Sequence, residues 1–368
     1  MINYAVIMAG GVGTRFWPKG NYKFPKQFLK ITDDDDTLLQ LAYKRLDGVF
    51  RNTNIFVVTN IIYKQEVKRQ LPKIPDENII CEPVGRNTAP CIGLSCVFIN
   101  RFQSRANVLV VAADHLIGDN DEFHRVIKSG LQFVNDNGGI VTLGIHPTKP
   151  ETGYGYIQYD SDFFADIETE EKSAVSTERI YKVKTFAEKP NLEVAKAFLD
   201  SGDFLWNSGM FIFRTDTMME EIRNYMPDLF ESLNRLSDNI LATNFPKILE
   251  DEFTKLKSIS IDYGVMEKSS NVFIIRSHFG WNDVGAWDEV YNIKEKDQDG
   301  NVRKGMTVTQ DTKNCLILND QKIVATVGVE DLLIINTENG LLICKRGEAQ
   351  RVKEIVDYLR RKGMDQYL

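Results

Sequence analysis

The chain reads as an α/β protein followed by a small all-β domain, and three textures in the sequence predict this. Through the first third, short β-branched runs alternate with stretches that carry apolar residues at helical spacing. From Tyr154 onward the runs read as antiparallel strands. After about Val290, short apolar runs recur with turn residues between them. These textures divide residues 1–290, the larger domain, from residues 291–368, a β-rich domain closed by a helix.

Taken in order, residues 4–8, 54–59, 78–82, 107–113 and 139–144 are short, β-branched and bounded by polar residues or glycine, the signature of strands. Between them, 37–50, 61–70, 88–102 and 122–137 carry a helical apolar period. Such alternation predicts a mostly parallel sheet with helices on both faces, whose ligands sit beyond the carboxyl ends of the strands. The glycine-rich stretch after Met8, Glu82 and Asp114 all follow strands, so they are expected at one edge of the sheet. Residues 155–159 and 180–186 read as two antiparallel strands, with 160–178 an acidic, solvated excursion between them. Helices follow at 192–201 and 218–241. The runs 315–318, 323–327, 332–335 and 341–344 read as stacked short strands. The tail 349–362 places Val352, Ile355, Val356 and Leu359 on one helical face.

Composition narrows the function classes. With 368 residues, 43% hydrophobic and 26% charged, the chain can bury a full core. A net charge of −7 argues against a nucleic-acid surface, so lysines and arginines are better read as local ligands for a small anion. The five cysteines show no C-x-x-C spacing and sit mostly among apolar residues, as free thiols do. The first strand runs straight into the glycine stretch without room for a signal peptide, and no apolar run suits a bilayer. A cytoplasmic protein without a membrane partner is expected, and a homodimer is compatible with the sequence.

The richest segment is Gly10-Gly11-Val12-Gly13-Thr14-Arg15, closed by Pro25-Lys26. Glycines at 10, 11 and 13 let the backbone turn sharply and present N–H groups to a bulky anion, and Arg15 and Lys26 add fixed positive charge. Phe16 stands where a dinucleotide fingerprint needs its third glycine, and a Walker A loop would end in Gly-Lys-Ser/Thr. A glycine-rich turn used only for packing is the bland alternative. A polyphosphate loop of another kind is the sharper reading.

Asp114 leaves the apolar run 107–113, where a carboxylate facing a phosphate loop suits Mg²⁺. That ion takes one or two carboxylates plus phosphate oxygens and water. Asp283, in Gly280-Trp281-Asn282-Asp283-Val284-Gly285, offers the companion ligand. Each aspartate taken alone also suits a turn or a helix cap. The run Asp33–Asp36 is better read as a solvated turn than as a metal site. In Glu82-Pro83-Val84-Gly85-Arg86-Asn87-Thr88-Ala89-Pro90, Glu82 could accept from both donors of a guanine edge, and a backbone amide or the Asn87 amide could serve its O6. Adenine would leave that carboxylate facing an acceptor. Asn87 or Thr88 can also cap the following helix.

The stretch from Met8 through Phe16-Trp17-Pro18 to Phe24-Pro25-Lys26-Gln27-Phe28 resembles the signature of the sugar-1-phosphate nucleotidyltransferases. The string from Glu82 to Pro90 resembles their guanylyl branch. Gly20-Asn21 departs from the Ser-Arg often found there, so neither residue is given a role. The resemblance implies a Rossmann-like, GT-A type mixed sheet flanked by helices, then a short left-handed β-helix. It also implies transfer of GMP from GTP to α-D-mannose 1-phosphate, forming GDP-mannose and pyrophosphate. By resemblance, Arg15, Lys26 and Lys189 are catalytic; Gly10, Gly11, Gly13, Thr14, Glu82, Asn87 and Thr88 bind the nucleotide. Gly155, Glu188, Lys189, Asn207 and Asp262 bind the sugar phosphate, and Asp114 and Asp283 hold Mg²⁺. Tyr156 and Trp206 also suit plain packing under tight turns.

Two rival readings stand beside this one. The same chemistry on glucose 1-phosphate with UTP or dTTP is disfavoured by the Glu82 string. A catalytically silent nucleotide-sugar sensor would be expected to lose a metal aspartate or motif lysine, whereas Lys26, Asp114, Lys189 and Asp283 are all present. Some guanylyl-branch proteins add an isomerase domain; a single activity is expected of this chain.

Overall fold

The computed structural model describes residues 1–32, 35–171 and 174–368, so Asp33 and Asp34 of the acidic run lie outside the described residues. The chain forms two compact units. One comprises Met1–Gly10, Ala42–Ala113 and Ile117–Trp281; the other comprises Gly11–Leu41, Asp114–Leu116 and Asn282–Leu368. This partition differs from a single cut near residue 290, because apolar side chains of the signature segment are buried with those of the β-rich segment.

The first unit is built on a nine-stranded sheet of β1 (Asn3–Met8), β2 (Ile55–Asn60), β3 (Ile79–Glu82), β4 (Asn107–Ala112), β5 (Ile140–Ile145), β6 (Gly155–Glu171), β7 (Ala174–Glu188), β8 (Phe204–Arg214) and β9 (Val272–Ser277). The order across it is β3-β2-β1-β4-β8-β5-β9-β7-β6. Strands β3, β2, β1 and β4 run parallel, as their near-continuous apolar sequences require of strands covered on both faces. Strand β8 lies antiparallel between β4 and β5 and makes the sheet mixed, not mostly parallel. Register pairs Met8 with Val58 and Ala112, and Asn60 with Glu82, so β1, β3 and β4 end at one edge. The expected convergence of strand ends is therefore present in this unit.

Helix Thr88–Asn100 is apolar on nearly every face and is buried against the sheet with Phe211, Leu229 and Leu233. Helix Asn120–Asn137 instead turns Phe123, Val126, Ile127, Leu131 and Val134 inward. It is capped by Asp119 Oδ1, which accepts from the Glu122 amide at 3.0 Å.

Three expectations are corrected here. Residues 160–178 are not a solvated excursion, because β6 and β7 continue as one ladder out to Glu171 and Ala174. Phe164 faces Tyr181 in that ladder, and buried Glu178 is an ion-pair partner of Arg125. The expected helix 218–241 is two helices, Thr215–Tyr225 and Pro227–Asn239, because Pro227 lacks the N–H that would continue the first. Ile355 lies exposed on the terminal helix Val352–Arg361, whose inward face is Val352 and Val356.

The second unit carries β10 (Val302–Lys304), β11 (Thr307–Gln310), β12 (Leu316–Asn319), β13 (Val324–Val327), β14 (Leu332–Thr337) and β15 (Gly340–Lys345). Strands β10, β12 and β14 stack in parallel register with β15 antiparallel at the edge, while β11 pairs with β13. Repeated rungs such as Leu316 on Leu333 make this a coil of short strands. Its polar rungs repeat too: Asn336 donates to Asn319 at 3.0 Å, and Thr312 meets Thr326 at 2.9 Å. One core joins Phe16, Leu29, Ile31 and Leu38 to Trp287, Val302, Leu316, Leu333 and Val352. No described helix is long and apolar enough to cross a membrane, and all five cysteines are free.

Candidate active site

Gly11, Gly13, Lys26, Asp114 and Asp283 all belong to the second unit, and local geometry explains their meeting. Gly13 adopts φ 53° and starts the 3₁₀ turn Thr14–Phe16, a left-handed entry that glycine supplies without strain. A Cβ there would lie 2.6 Å from Lys26 Cβ, so the loop closes directly onto the lysine stem. Gln27 Nε2 donates to the Gly11 carbonyl at 2.9 Å and fixes the other side of the turn. A Cβ at Gly11 would meet nothing within 4 Å, so the backbone there is open to a bulky anion. Arg15 stands exposed on the 3₁₀ turn.

The two aspartates are delivered by one antiparallel bridge. Leu116 N donates to Asn282 O at 2.8 Å and Asn282 N returns a bond to Leu116 O at 3.0 Å. Asp114 lies just before Leu116 and Asp283 just after Asn282, on the two segments that this isolated bridge joins. Buried Lys26 donates from Nζ to Asp114 Oδ2 at 3.0 Å and to the Asp283 backbone carbonyl. Burial opposes ionisation of Asp114, but the Lys26 ammonium, followed by His115, outweighs it and holds the carboxyl below its ordinary value. Asp114 is therefore a carboxylate at neutral pH. Val284, next to Asp283, has φ 46°, a strained value for a β-branched residue.

No group of three or more His, Cys, Asp or Glu is arranged as a metal cage among the described residues. The donor set still fits a hard cation that keeps water and substrate oxygens. An ammonium already rests on a carboxylate oxygen of Asp114 and a carbonyl oxygen of Asp283, so these oxygens accept positive charge.

In the first unit, Glu82 ends β3 with only 4% of its surface exposed, and its Oε1 has no hydrogen-bond partner. Burial alone pushes its carboxyl up to about 8. Gly10 faces it: a Cβ at Gly10 would stand 3.4 Å from Glu82 Oε2. Asn87 has φ 68° and its side chain accepts from the Thr88 amide, which is the helix-cap reading of that residue. Thr88 Oγ1 accepts from Ile261 N at 2.8 Å and ties this loop to the segment before Asp262. Arg86, given no role from the sequence, anchors the same loop by donating to the Phe253 and Thr254 carbonyls.

The five residues expected at the sugar phosphate come together in the same unit. Lys189 (φ 50°) pairs with Glu188, and a Cβ at Gly155 would run into the Glu188 carboxylate and stop 3.3 Å from Asn207 Cβ. Asn207 Nδ2 donates to Asp262 Oδ1 at 2.9 Å, while its Oδ1 accepts from Thr142 and the Gly209 amide. Asp262 opens a π-helical turn, Asp262–Met266. Burial first, then the Glu188 carboxylate, push it up to about 6 against the opposing pull of Asn207 and Lys189. Tyr156 and Trp206, paired across β6 and β8, are buried with the Tyr156 hydroxyl and Trp206 Nε1 unpartnered. Tyr154 packs edge-on against both Trp206 and Trp281, at 5.2 Å in each case. Packing thus accounts for the rings but not for their polar tips.

A family model described as nucleotidyl transferase matches residues 4–300, and one described as a MannoseP isomerase/GMP-like beta-helix domain matches residues 305–359. A mannose-1-phosphate guanylyltransferase of Escherichia coli is 38% identical over 98% of this chain and 76% of its own length. The chain belongs to the mannose-1-phosphate guanylyltransferase family. A Klebsiella pneumoniae member of this guanylyltransferase family is likewise 38% identical, over 98% of the chain and 75% of its own. The chain thus spans about three quarters of these relatives. A solved structure from Thermus thermophilus, described as a mannose-1-phosphate geranyltransferase, superposes with a TM-score of 0.84 at 31% identity. That match covers 98% of this chain and all of the other. The guanylyltransferase is therefore a nucleotidyltransferase enzyme with a mixed α/β sheet and a β-helix-like C-terminal segment, and enzymes of its family use a divalent metal.

Sequence reasoning did not single out Gln27, Arg86 or Thr142, which position the glycine loop, the Glu82–Pro90 segment and Asn207 respectively. Gln27 had a signal, since it lies inside the signature string. Arg86 likewise lies inside the Glu82–Pro90 string, whereas Thr142 lies in none, and its partner Asn207 is distant in sequence.

Proposed function

We propose that this guanylyltransferase transfers GMP from GTP to α-D-mannose 1-phosphate, with Mg²⁺ as the metal. A phosphate oxygen of the sugar phosphate attacks the α-phosphorus of GTP. The bond from that phosphorus to the bridging oxygen breaks, and its electrons leave with pyrophosphate. No protein nucleophile is needed, because the attacking phosphate is already anionic. Catalysis then rests on alignment and charge neutralisation, and alignment alone is able to supply roughly 7–11 kcal/mol of the barrier.

The observation that carries this reading is Glu82, a buried carboxyl with an unpartnered oxygen at the end of a parallel strand; burial favours its protonated form in the free chain, and two donors from a base edge would favour the ionised, doubly accepting form. Guanine offers the two adjacent donors such an oxygen pair wants, and adenine offers none in that place. Lys26 and Arg15 balance the triphosphate and the departing pyrophosphate, with Gly11, Gly13 and Thr14 supplying backbone donors. Asp114 and Asp283 hold Mg²⁺, which when bound neutralises charge on the reacting phosphates. Lys189 takes the phosphate of the sugar substrate, and Glu188, Asn207 and Asp262 accept from or donate to its hydroxyls. Both substrates are charged, water-soluble small molecules, and a cytoplasmic location accords with that.

The test is a pyrophosphate-release assay with mannose 1-phosphate and each of four nucleotides. GTP should exceed ATP and UTP in kcat/KM by about 100-fold or more. A purified enzyme that prefers ATP would overturn the role given to Glu82.

A further inference from the structure

Lys26 is held unusually firmly for a residue whose partners are to be small, transient anions. Only 5% of it is exposed, and its stem is pressed against the backbone side of Gly13. Its ammonium lies 5.5 Å from the centre of the Phe16 ring and bonds to Asp114 Oδ2 and the Asp283 carbonyl. Those are oxygens of the two residues proposed to hold the metal. A lysine ammonium and a divalent ion cannot share them, because like charges at contact distance in a buried site repel strongly.

We propose that Lys26 is the resident cation of the metal site. In the nucleotide-free chain its ammonium occupies the Asp114 carboxylate oxygen that a divalent ion would use and rests on the main-chain oxygen of Asp283 beside it, and the ion is admitted only when a polyphosphate on the glycine loop draws the ammonium away. This rests on the assignment of Asp114 and Asp283 to the metal. The lysine is suited to both positions, since it is clamped at its stem to the loop that meets the phosphates while its charged end reaches the aspartates. Two consequences follow. The free protein discriminates against metal ions, and nucleotide and metal each raise the other's affinity by the same factor.

The experiment is a titration of the full chain with Mn²⁺, read from the free-ion paramagnetic resonance signal, without nucleotide. Lys26→Met should bind the ion about tenfold more tightly than the unsubstituted chain or more. Lys26→Gln serves as a second neutral variant should the first not fold, and Lys26→Arg, which keeps the charge, should bind weakly. The gain in Lys26→Met should vanish when Asp114→Asn is added. A parallel arm repeats the titration with α,β-methylene-GTP, which resists cleavage, on the unsubstituted chain and on Asp114→Asn. Unchanged Mn²⁺ affinity in both neutral variants overturns the proposal, as does a gain that survives Asp114→Asn. If nucleotide-dependent Mn²⁺ binding is nevertheless lost in Asp114→Asn, the metal assignment stands without the lysine's role. If Asp114→Asn keeps that binding, both fall.

Discussion

The carboxylates of the two units are treated in opposite ways. In the second unit Asp114 is answered by the buried Lys26 and held below its ordinary range. In the first unit Glu82 and Asp262 are pushed up, to about 8 and about 6, because burial outweighs whatever partners they have. One region is neutralised by its own chain before any substrate arrives. In the other, Glu82 Oε1 has no partner, and Asp262 accepts from Asn207 without offsetting its burial and the Glu188 charge. On the proposed assignment a phosphate or metal would displace an existing partner, whereas a base would fill an open acceptor. Charge chemistry and recognition chemistry are in this way built from the same residue type in different surroundings.

The largest effects should come from breaking the neutralised side. Lys26→Ala removes a charge from the triphosphate and takes from Asp114 its ammonium partner, and turnover should fall about 100-fold or more. Asp283→Ala should cost as much. Both are checked by pyrophosphate release on variants whose circular dichroism matches the unsubstituted chain.

Next comes the open acceptor. Glu82→Gln replaces one accepting oxygen by a donor, so kcat/KM for GTP should drop by roughly 100-fold while that for ATP changes little. The same substitution sharpens the comparison through pH. A carboxyl raised in the folded state contributes stability below its unfolded value near 4.5 and loses it as pH rises through about 8. The nucleotide-free chain should therefore lose several degrees of Tm between pH 5 and 8, and Glu82→Gln should flatten most of that slope. A slope unchanged by the substitution would mean that Glu82 is solvated or paired.

A smaller effect is expected at the sugar phosphate. Asp262→Asn should raise KM for mannose 1-phosphate by about tenfold, with KM for GTP unmoved. The smallest belongs to the outer part of the β6–β7 ladder, where the exposed pair Arg179 and Asp166 meets at 3.0 Å. Arg179→Ala should leave Tm within about 1 °C, because solvent screens such pairs.

How far the sequence carried the reading depends on whether a signal was local. Strand and helix alternation placed β1 to β5 and the helices between them, because periodicity is local. Acidic side chains mask the strand pattern over 160–178, and only the pairing of 155–171 with 174–188 makes a ladder there. Strands β8 and β9 and the helix Phe245–Lys255 escaped notice, the first because Asn207, Ser208 and Gly209 interrupt its apolar run. Motif strings did better at the site. Gly155, Glu188, Lys189, Asn207 and Asp262 were named from separate segments, and they meet in the first unit. What no string contained is that Lys26 rests on Asp114, 88 residues away, since such a contact is a property of the closed chain. The same holds for the orphaned oxygen of Glu82: a sequence shows a glutamate, and only burial shows that it lacks a partner.

If Asp114 and Asp283 hold the metal as proposed, the bridge between Leu116 and Asn282 makes the site depend on two segments far apart in the chain. The two aspartates leave the ribosome far apart in time, and the first cannot meet its companion until the second has been made. On that assignment a nascent chain halted between them would be inactive, however well its sheet has formed. Lengthening or shortening the intervening loops leaves the pairing intact so long as those two residues still find each other.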